Sequence, residues 1–442
     1  KKVRGTYSAK NVYFYPCGFK DGQSKSRCKV SLTGWFFETN VSLLKIPQPG
    51  NCQQRASQSK QRKIFVMNRL KYIASRNLIN LPGWRTKRKI IVIQSDDWGS
   101  IRMPSKEVYQ KLLDAGISVD KCPYNRYDAL ESEEDIEKLF SILTKHKDKH
   151  AAFPVITANC VVANPDFDKI RESGFREYHY ELYPETLKRH QKHQKTFELW
   201  NEGISKKIIF PQFHGREHVN IKFWLDRLHE GDKIFRKAFD LGLWGLGPNV
   251  VDGYNFNIQA AFDCEEKPEL EHHKLILADG LNLFSKLFGF RSESFISNNF
   301  IWDTELDAEL ASNGVSMLQG AKKQYLPAYY GEPRRTVGHR TGETNTAGQL
   351  YMVRNCFFEP SLIPGDPVRF CLSDIQNAFA WHKPAIITSH RLNFMGGIVP
   401  SNRDQNLEAF DKLLMNITRR WPDAEFMTTV QLGELIRQES HP

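Results

Sequence analysis

The chain lacks the marks of a membrane-spanning or disulfide-stabilised protein. It has no run of about 18 apolar residues that could cross a bilayer, and no apolar stretch followed by a small-residue cleavage site that would predict a secretory signal. It also has no C-x-x-C pair. An odd number of cysteines follows Met67, which predicts scattered buried thiols in a reducing, cytoplasmic compartment: Cys122, Cys160, Cys264, Cys356 and Cys371.

Beyond its first 66 residues the chain has no excess of charge. The net charge is +11, and residues 1–66 account for all of it with 13 basic side chains against Asp21 and Glu38. We therefore expect no nucleic-acid partner for the remainder. We expect 1–66 to be a basic extension, disordered or not native to the enzyme, and 67–442 to be the catalytic domain. A basic tail that binds nucleic acid or anionic surfaces and a small folded module are the alternatives.

From Lys87 onward, short apolar strands alternate with amphipathic helices. This alternation is typical of βα units around a parallel sheet, so we predict an α/β barrel with about seven parallel strands. Ser105 is expected to cap one helix, and Ser132 with Asp135 to form a capping box on another. The predicted strands are 90–94, 151–162, 207–213, 287–291, 315–318, 349–358, 385–389 and 425–428.

Reactive side chains follow several of these predicted strands. In a parallel barrel the carboxyl ends of the strands meet on one face, where catalytic groups lie. Each residue has an ordinary structural alternative, such as a turn former, a core histidine or an ion-pair partner, and their joint placement favours a site. The residues are Asp96, Asp97, His214, His218, Arg291 and His390.

The segment HGREH places the imidazoles of His214 and His218 four residues apart. On a helical turn this spacing puts them on one face, where two nitrogens can hold one divalent ion with a carboxylate as third ligand. His146 and His150 have the same spacing, but they lie in a lysine-rich stretch without a preceding apolar strand. We interpret that second pair as surface residues.

Four motifs occur in one order along the chain: QSDDWG, HGREH, FRSESF and ITSH. Together with AAFPVITANCVV and EFMTTVQLGEL, they resemble the polysaccharide deacetylase family of metal-dependent carbohydrate esterases, over about Lys87 to Ile436. The resemblance implies a distorted (β/α) barrel with long insertions between the first and later motifs. It also implies these roles: Asp96 as general base, Asp97, His214 and His218 as metal ligands, Arg291 as the residue that orients Asp96, and His390 as general acid.

The activity implied is the hydrolytic removal of N- or O-linked acetyl groups from a polysaccharide, oligosaccharide or sugar precursor. One divalent ion is implied, zinc first, with cobalt, nickel or manganese as alternatives. The chain departs from the family at Trp98 and Glu293, which we expect to contact the acetylated carbohydrate substrate. For His339, Arg340 and Arg354, a solvated or structural role is expected.

Three other functions remain open at this stage. The string H-x-x-E-H is also the inverted zinc-peptidase motif, with Glu217 as base, but that motif needs the middle of a long helix. A second alternative is hydrolysis of a C–N bond in a small amide or cyclic imide. The third is a barrel that binds glycan without turnover, which has no need for so many reactive groups.

Overall fold

The computed structural model describes residues 75–190, 192–247, 250–251, 257–330 and 332–440. The predictions for residues 1–66 lie outside the described residues. Within the described part, the larger sheet has nine strands, all of them paired in parallel: β1 Lys89–Trp98, β2 Ile156–Cys160, β5 Ile209–Phe213, β6 Ser294–Phe295, β7 Met317–Gly320, β10 Leu350–Val353, β11 Cys356–Phe357, β12 Ala385–His390 and β13 Ala424–Met427.

The strand order across this sheet is β10-β7-β6-β5-β2-β1-β12-β11, with β13 also paired to β1. The sheet curls into a distorted (β/α) barrel, as the sequence predicts. Two small antiparallel hairpins lie outside it. They are formed by β3 Ala163–Pro165 with β4 Tyr180–Leu182, and by β8 Lys323–Tyr325 with β9 Thr336–Gly338.

Helices follow most strands and pack around the sheet. In chain order they are α1 Lys106–Asp114, α2 Pro123–Tyr127, α3 Glu133–Leu143, α4 Phe167–Glu172, α5 Tyr183–Arg189, α6 Thr196–Ser205, α7 Ile221–His229, α8 Lys233–Asp240, α9 Glu269–Phe288, α10 Asp307–Ser312, α11 Pro367–Ala380, α12 Pro400–Arg420 and α13 Thr429–Ser440. None of the helices in the described residues is both long and apolar enough to cross a membrane.

The predicted caps are present at two helix starts. Ser105 Oγ accepts from the backbone N–H of Val108, 3.2 Å away. Ser132 and Asp135 form the predicted capping box, in which each side chain accepts from the other residue's backbone N–H. Such caps satisfy N–H groups that have no partner within the helix, and each contributes about 1 kcal/mol.

Strand β1 is buried on its two faces, which explains its continuous apolar run. Ile91 and Ile93 pack toward the surrounding helices. Ile90 and Val92 belong to a separate cluster with Ile386 and with apolar residues of the C-terminal helix α13. The first strand is therefore fixed from two sides, and its carboxyl end is held rigidly at the edge of the barrel.

The five cysteines after Met67 are free and buried, as predicted.

Candidate active site

Asp97, His214 and His218 form a compact set of possible metal ligands. Oδ1 of Asp97 lies 3.0 Å from Nε2 of His218 and 3.4 Å from Nε2 of His214. One ligand atom from each residue lies within 4.8 Å of the others, and the three residues are 3, 2 and 5% exposed. Two imidazoles and one carboxylate are a ligand set that suits zinc and leaves a position for water or substrate. The three side chains can therefore hold a metal ion.

The hydrogen bond of His214 fits this use. Its Nδ1 lies 2.9 Å from the carbonyl oxygen of Ile296, which can only accept, so Nδ1 carries the proton. The lone pair is then on Nε2, the atom that faces Asp97. Metal-binding histidines are commonly oriented in this way, by a hydrogen bond from the ring nitrogen that does not bind the metal. Burial, the largest effect, lowers the pKa of His218 to about 4, so its imidazole is neutral at neutral pH.

The two histidines meet in a loop, and the expectation of a helical turn is wrong. Residues 214–220 have no helical structure, and Gly215 has φ of +114°. A side chain at Gly215 would place its Cβ 2.9 Å from the carbonyl oxygen of Glu217, so the turn requires glycine. The inverted zinc-peptidase alternative fails here. It needs a long helix, and Glu217 is buried against Arg216 at 2.7 Å.

The backbone around Asp97 explains why two adjacent carboxylates can face the same cavity. The pairing of β1 with β2 shifts register between Ser95 and Trp98, and Asp97 has φ of +74°. This left-handed conformation is uncommon for a residue with a side chain, and such conformations often occur at functional sites. Without the irregularity, neighbouring residues of a strand would point to opposite faces.

Asp96 is held by Arg354, for which a solvated or structural role was predicted. Arg354, which follows β10, donates from Nη1 to Oδ2 and from Nη2 to Oδ1 of Asp96, each at 2.6 Å. Asn159 donates to Oδ1 as well, at 2.7 Å. Burial alone would raise the pKa of Asp96, but the Arg354 guanidinium outweighs it and lowers that pKa to about 2. Asp96 is thus ionised at any working pH.

The structure does not place Arg291 or Glu293 at the cavity, where they were predicted. Arg291 is exposed, and the arginine that contacts Asp96 is Arg354 instead. The predicted strand at 287–291 is the end of helix α9, which stops at Gly289 with φ of +77°. The strand comes later, as β6, so Arg291 and Glu293 precede it and lie away from the carboxyl edge where the cavity opens.

Trp98 does not line the cavity either, which corrects its predicted contact with substrate. It is fully buried in the core against Trp200, with ring centroids 5.6 Å apart. Its Nε1 donates to Oγ of Ser95 at 3.0 Å. The position that departs from the family motif is therefore a packing position.

His390 ends β12 and faces Asp96 across the cavity, with Nε2 at 3.8 Å from Oδ2. Its Nδ1 lies 2.6 Å from Oε1 of Glu359, and Asn393 donates to the other oxygen of Glu359 at 2.8 Å. Burial alone would lower the pKa of His390, but Glu359 outweighs it and raises that pKa to about 9. The imidazole is protonated at neutral pH, with Nε2–H directed toward the site.

Further side chains complete the cavity that holds these groups. Its lining is mostly polar and includes the ligand set, the charged pair of Asp96 and His390, and these further residues: Arg102, Tyr124, Gln259, Ser297, Asn299 and Phe300.

The two pairs of histidines with equal spacing differ as expected, because only His214 and His218 belong to the possible ligand set. His146 contacts Asp411 at 2.6 Å and His150 is exposed, so neither joins the ligand set. Arg340 is also exposed, while His339 stacks on Tyr351 with ring centroids 3.6 Å apart.

Sequence reasoning missed the roles of Arg354, Glu359 and Asn159 in this site. Arg354 and Asn355 interrupt the predicted strand at 349–358 and divide it into β10 and β11. A polar residue at the carboxyl end of an apolar strand was the signal that identified Asp96 and His390. The same signal is present at Arg354, but the strand was predicted to run past it.

No protein-family model and no curated protein matches the chain. Solved structures similar to it include a probable polysaccharide deacetylase from Pseudomonas aeruginosa PAO1, with 8% identity and a TM-score of 0.41 over 80% of this chain and 93% of that one. An allantoinase gives 10% identity and 0.41 over 81% and 93%. The 4-alpha-glucanotransferase of Thermococcus litoralis gives 11% and 0.39 over 78% and 40%. Similarity at this level gives no information on activity or substrate.

Proposed function

We propose that the chain is a metal-dependent hydrolase that removes N- or O-linked acetyl groups from a polysaccharide, oligosaccharide or sugar precursor. One observation carries this proposal. A buried ligand set lies in the same cavity as an ionised carboxylate, Asp96, and a protonated imidazole, His390. Metal-dependent hydrolysis of an amide or ester uses these three elements together: an electrophilic centre, a base and an acid.

Asp97, His214 and His218 would hold the ion, with zinc the first choice for a ligand set of nitrogen and oxygen atoms. A bound divalent ion supplies polarisation of the acyl carbonyl and an acidified water molecule, which a carboxylate as weakly basic as Asp96 requires. Asp96 takes one proton from the attacking water, whose oxygen forms the new bond to the acyl carbon. Arg354 keeps Asp96 ionised and fixes its orientation.

His390 donates the proton on Nε2 to the departing nitrogen or oxygen as the acyl bond breaks. Glu359 holds the other ring nitrogen, which fixes the direction of Nε2 and keeps the ring protonated. The proton taken by Asp96 and the one given by His390 balance over a turnover. Transfer of the proton from Asp96 to His390, whose Nε2 lies 3.8 Å from Oδ2 of Asp96, then restores both groups for the next cycle.

A second candidate is hydrolysis of a C–N bond in a small amide or cyclic imide. The depth of the site favours it specifically, because Asp96 and Asp97 are each only 3% exposed. A polymer would have to bring its acetyl group down to these buried carboxylates.

Product release distinguishes the candidates. The full chain would be loaded with zinc and tested for acetate release from N- and O-acetylated sugars, and for ring opening or ammonia release from small amides and imides. Asp96→Asn and chelated protein are the negative controls. Arg354→Met and Arg291→Met are a matched pair, since only Arg354 contacts Asp96.

Acetate release that needs both the metal and Asp96 supports the deacetylase. Release only from the small amides supports the second candidate. Turnover that survives chelation and Asp96→Asn would refute the two hydrolase functions. Sugar binding without any turnover would support a glycan-binding barrel.

A further inference from the structure

The two oxygens of Asp97 have different neighbours. Oδ1 faces the imidazoles of His214 and His218. Oδ2 lies 3.5 Å from Nη2 of Arg102, whose side chain is almost fully buried. A carboxylate can bind a metal through one oxygen or through two, and here a permanent cation is placed beside the second one.

The position of the Arg102 guanidinium is fixed from several sides. Nη1 donates to Oε1 of Gln259 at 2.9 Å, and Nε lies 3.2 Å from Oδ2 of Asp128. The rings of Tyr124 and Trp244 flank the guanidinium, with centroids at 4.9 and 5.5 Å. These contacts leave the side chain little freedom to move away from Asp97.

Asp128 is itself anchored. Arg391 donates to Oδ1 of Asp128 from Nε and Nη2, at 3.0 and 2.9 Å, and from Nη1 to Glu131 at 2.6 Å. Its Nη2 also donates to the carbonyl oxygen of Ser100 at 2.7 Å, in the loop after β1. A buried chain of alternating charges thus connects Asp97, near the end of β1, to Arg391, which follows His390 in the sequence.

We propose that Arg102 is a positioning residue that restricts Asp97 to one-oxygen coordination of the metal ion. If Oδ2 also bound the ion, two cations would come close together in a buried site that solvent screens little. Oδ1 would therefore act alone, and three protein atoms would hold the ion. The remaining coordination positions stay open for water and for the substrate carbonyl.

This inference rests on the metal site of the proposed function. A purely structural role for Arg102 is the competing explanation, since the side chain also offsets the charge of Asp128. The two differ in what happens at the metal. A structural role alone predicts lower stability with unchanged coordination, whereas a positioning role predicts a change in coordination number and affinity.

The test uses the full chain, wild type and Arg102→Met, with Zn²⁺ titrations and with Co²⁺ as the spectroscopic probe. Methionine keeps much of the side-chain length and removes the charge. We expect the visible Co²⁺ bands of the variant to weaken and shift as Asp97 binds through its two oxygens and the coordination number rises. The Zn²⁺ affinity should rise on the order of ten-fold, a size usual for residues around the ligands. For a substrate found under the proposed function, kcat should fall while KM changes less. Fewer coordination positions on the metal ion would then remain open for water and the substrate carbonyl.

Two further variants make the result specific. Arg102→Lys keeps a charge that cannot fork between Asp97 and Asp128, so its spectrum should shift the same way by a smaller amount. It also serves if the methionine variant does not fold. Arg403→Met removes a buried arginine that pairs with Asp135 and does not line the cavity, and its Co²⁺ spectrum should match that of the wild type.

The inference would be overturned if both Arg102 variants fold and have the Co²⁺ spectrum and the Zn²⁺ affinity of the wild type. Weaker Zn²⁺ binding with an unchanged Co²⁺ spectrum would overturn it as well. If the wild type binds no metal, the proposed function itself fails. The two failures are therefore distinguishable.

Discussion

Replacing Arg354 by methionine should leave a buried, uncompensated carboxylate at Asp96. The side chains of Arg354 and Asp96 are 2% and 4% exposed, and two hydrogen bonds of 2.6 Å join them. Methionine fills a similar volume without charge. The change therefore removes the ion pair while it leaves most of the local packing.

The expected loss of stability follows from the burial and from the pKa of Asp96. A pKa of about 2, against an ordinary value of 3.8, corresponds to about 2 kcal/mol of stability near neutral pH. Removal of one partner costs more than this, because the burial that raises the pKa of Asp96 is then opposed only by the smaller effects of His390 and His214. Buried pairs broken in this way lose about 3–5 kcal/mol, and we expect a loss in that range for Arg354→Met.

The pH dependence has a definite sign. In the wild type the folded pKa of Asp96 is depressed, so its stabilisation is present above about pH 4 and is lost as the pH falls toward 2. In the variant the carboxylate is destabilising when ionised, and protonation relieves it. The difference in unfolding free energy between the two proteins should therefore shrink on acidification. Urea unfolding of metal-free protein at several pH values measures this difference.

Two controls test the reasoning. Arg291→Met removes an exposed arginine and should change the unfolding free energy by less than about 0.5 kcal/mol. The double variant Arg354→Met with Asp96→Asn should recover part of the lost stability. A loss in Arg354→Met that is constant from neutral pH to about pH 3 would refute the assignment of that loss to Asp96.

Three further predictions follow from the same site. Glu359→Gln should lower the pKa of His390 from about 9 toward its ordinary 6.5 and so move the alkaline limb of the kcat profile to lower pH. It also removes a stabilisation that the wild type has in full below about pH 6.5 and loses progressively as the pH rises to about 9. His214→Ala should abolish bound zinc in elemental analysis, whereas His146→Ala, at the other equally spaced pair, should leave the stoichiometry unchanged. Trp98→Ala should cost about 3–5 kcal/mol in unfolding free energy with little effect on KM, because the ring is in the core and not in the cavity.

The sequence predicted which strand ends carry the candidate site, because that information is local. A buried apolar strand followed by a polar residue is visible in a few letters, and it located Asp96, Asp97, His214, His218 and His390. The structure brings these five side chains to one cavity. Their catalytic and ligand roles remain predictions.

The error at Arg291 has a physical origin in the length of β6. This strand has only two residues, Ser294 and Phe295, too few to show any periodicity. The apolar residues before it, Leu287 and Phe288, belong to the last turn of a long helix. The strand was predicted at 287–291, a few residues before its true place. Arg291, which precedes β6, was therefore taken for a residue at the end of a strand.

The partners of Asp96 and His390 were not predictable from local patterns. Arg354 and Asp96 are 258 positions apart, and Glu359 is 31 positions from His390. Nothing in the letters around Arg354 indicates which carboxylate it meets, since only the closing of the sheet places them together. The same holds for Arg102, which follows β1 but owes its position to Gln259 and Asp128.

These partners explain how an ionised carboxylate and a protonated imidazole can coexist at short range. Nε2 of His390 and Oδ2 of Asp96 are 3.8 Å apart, and alone they would form one ion pair that neutralises both. Arg354 binds Asp96 on one side and lowers its pKa to about 2, while Glu359 binds His390 on the other side and raises its pKa to about 9. The cavity therefore holds an ionised carboxylate and a protonated imidazole throughout the neutral range, which is the state that the proposed acid–base hydrolysis requires.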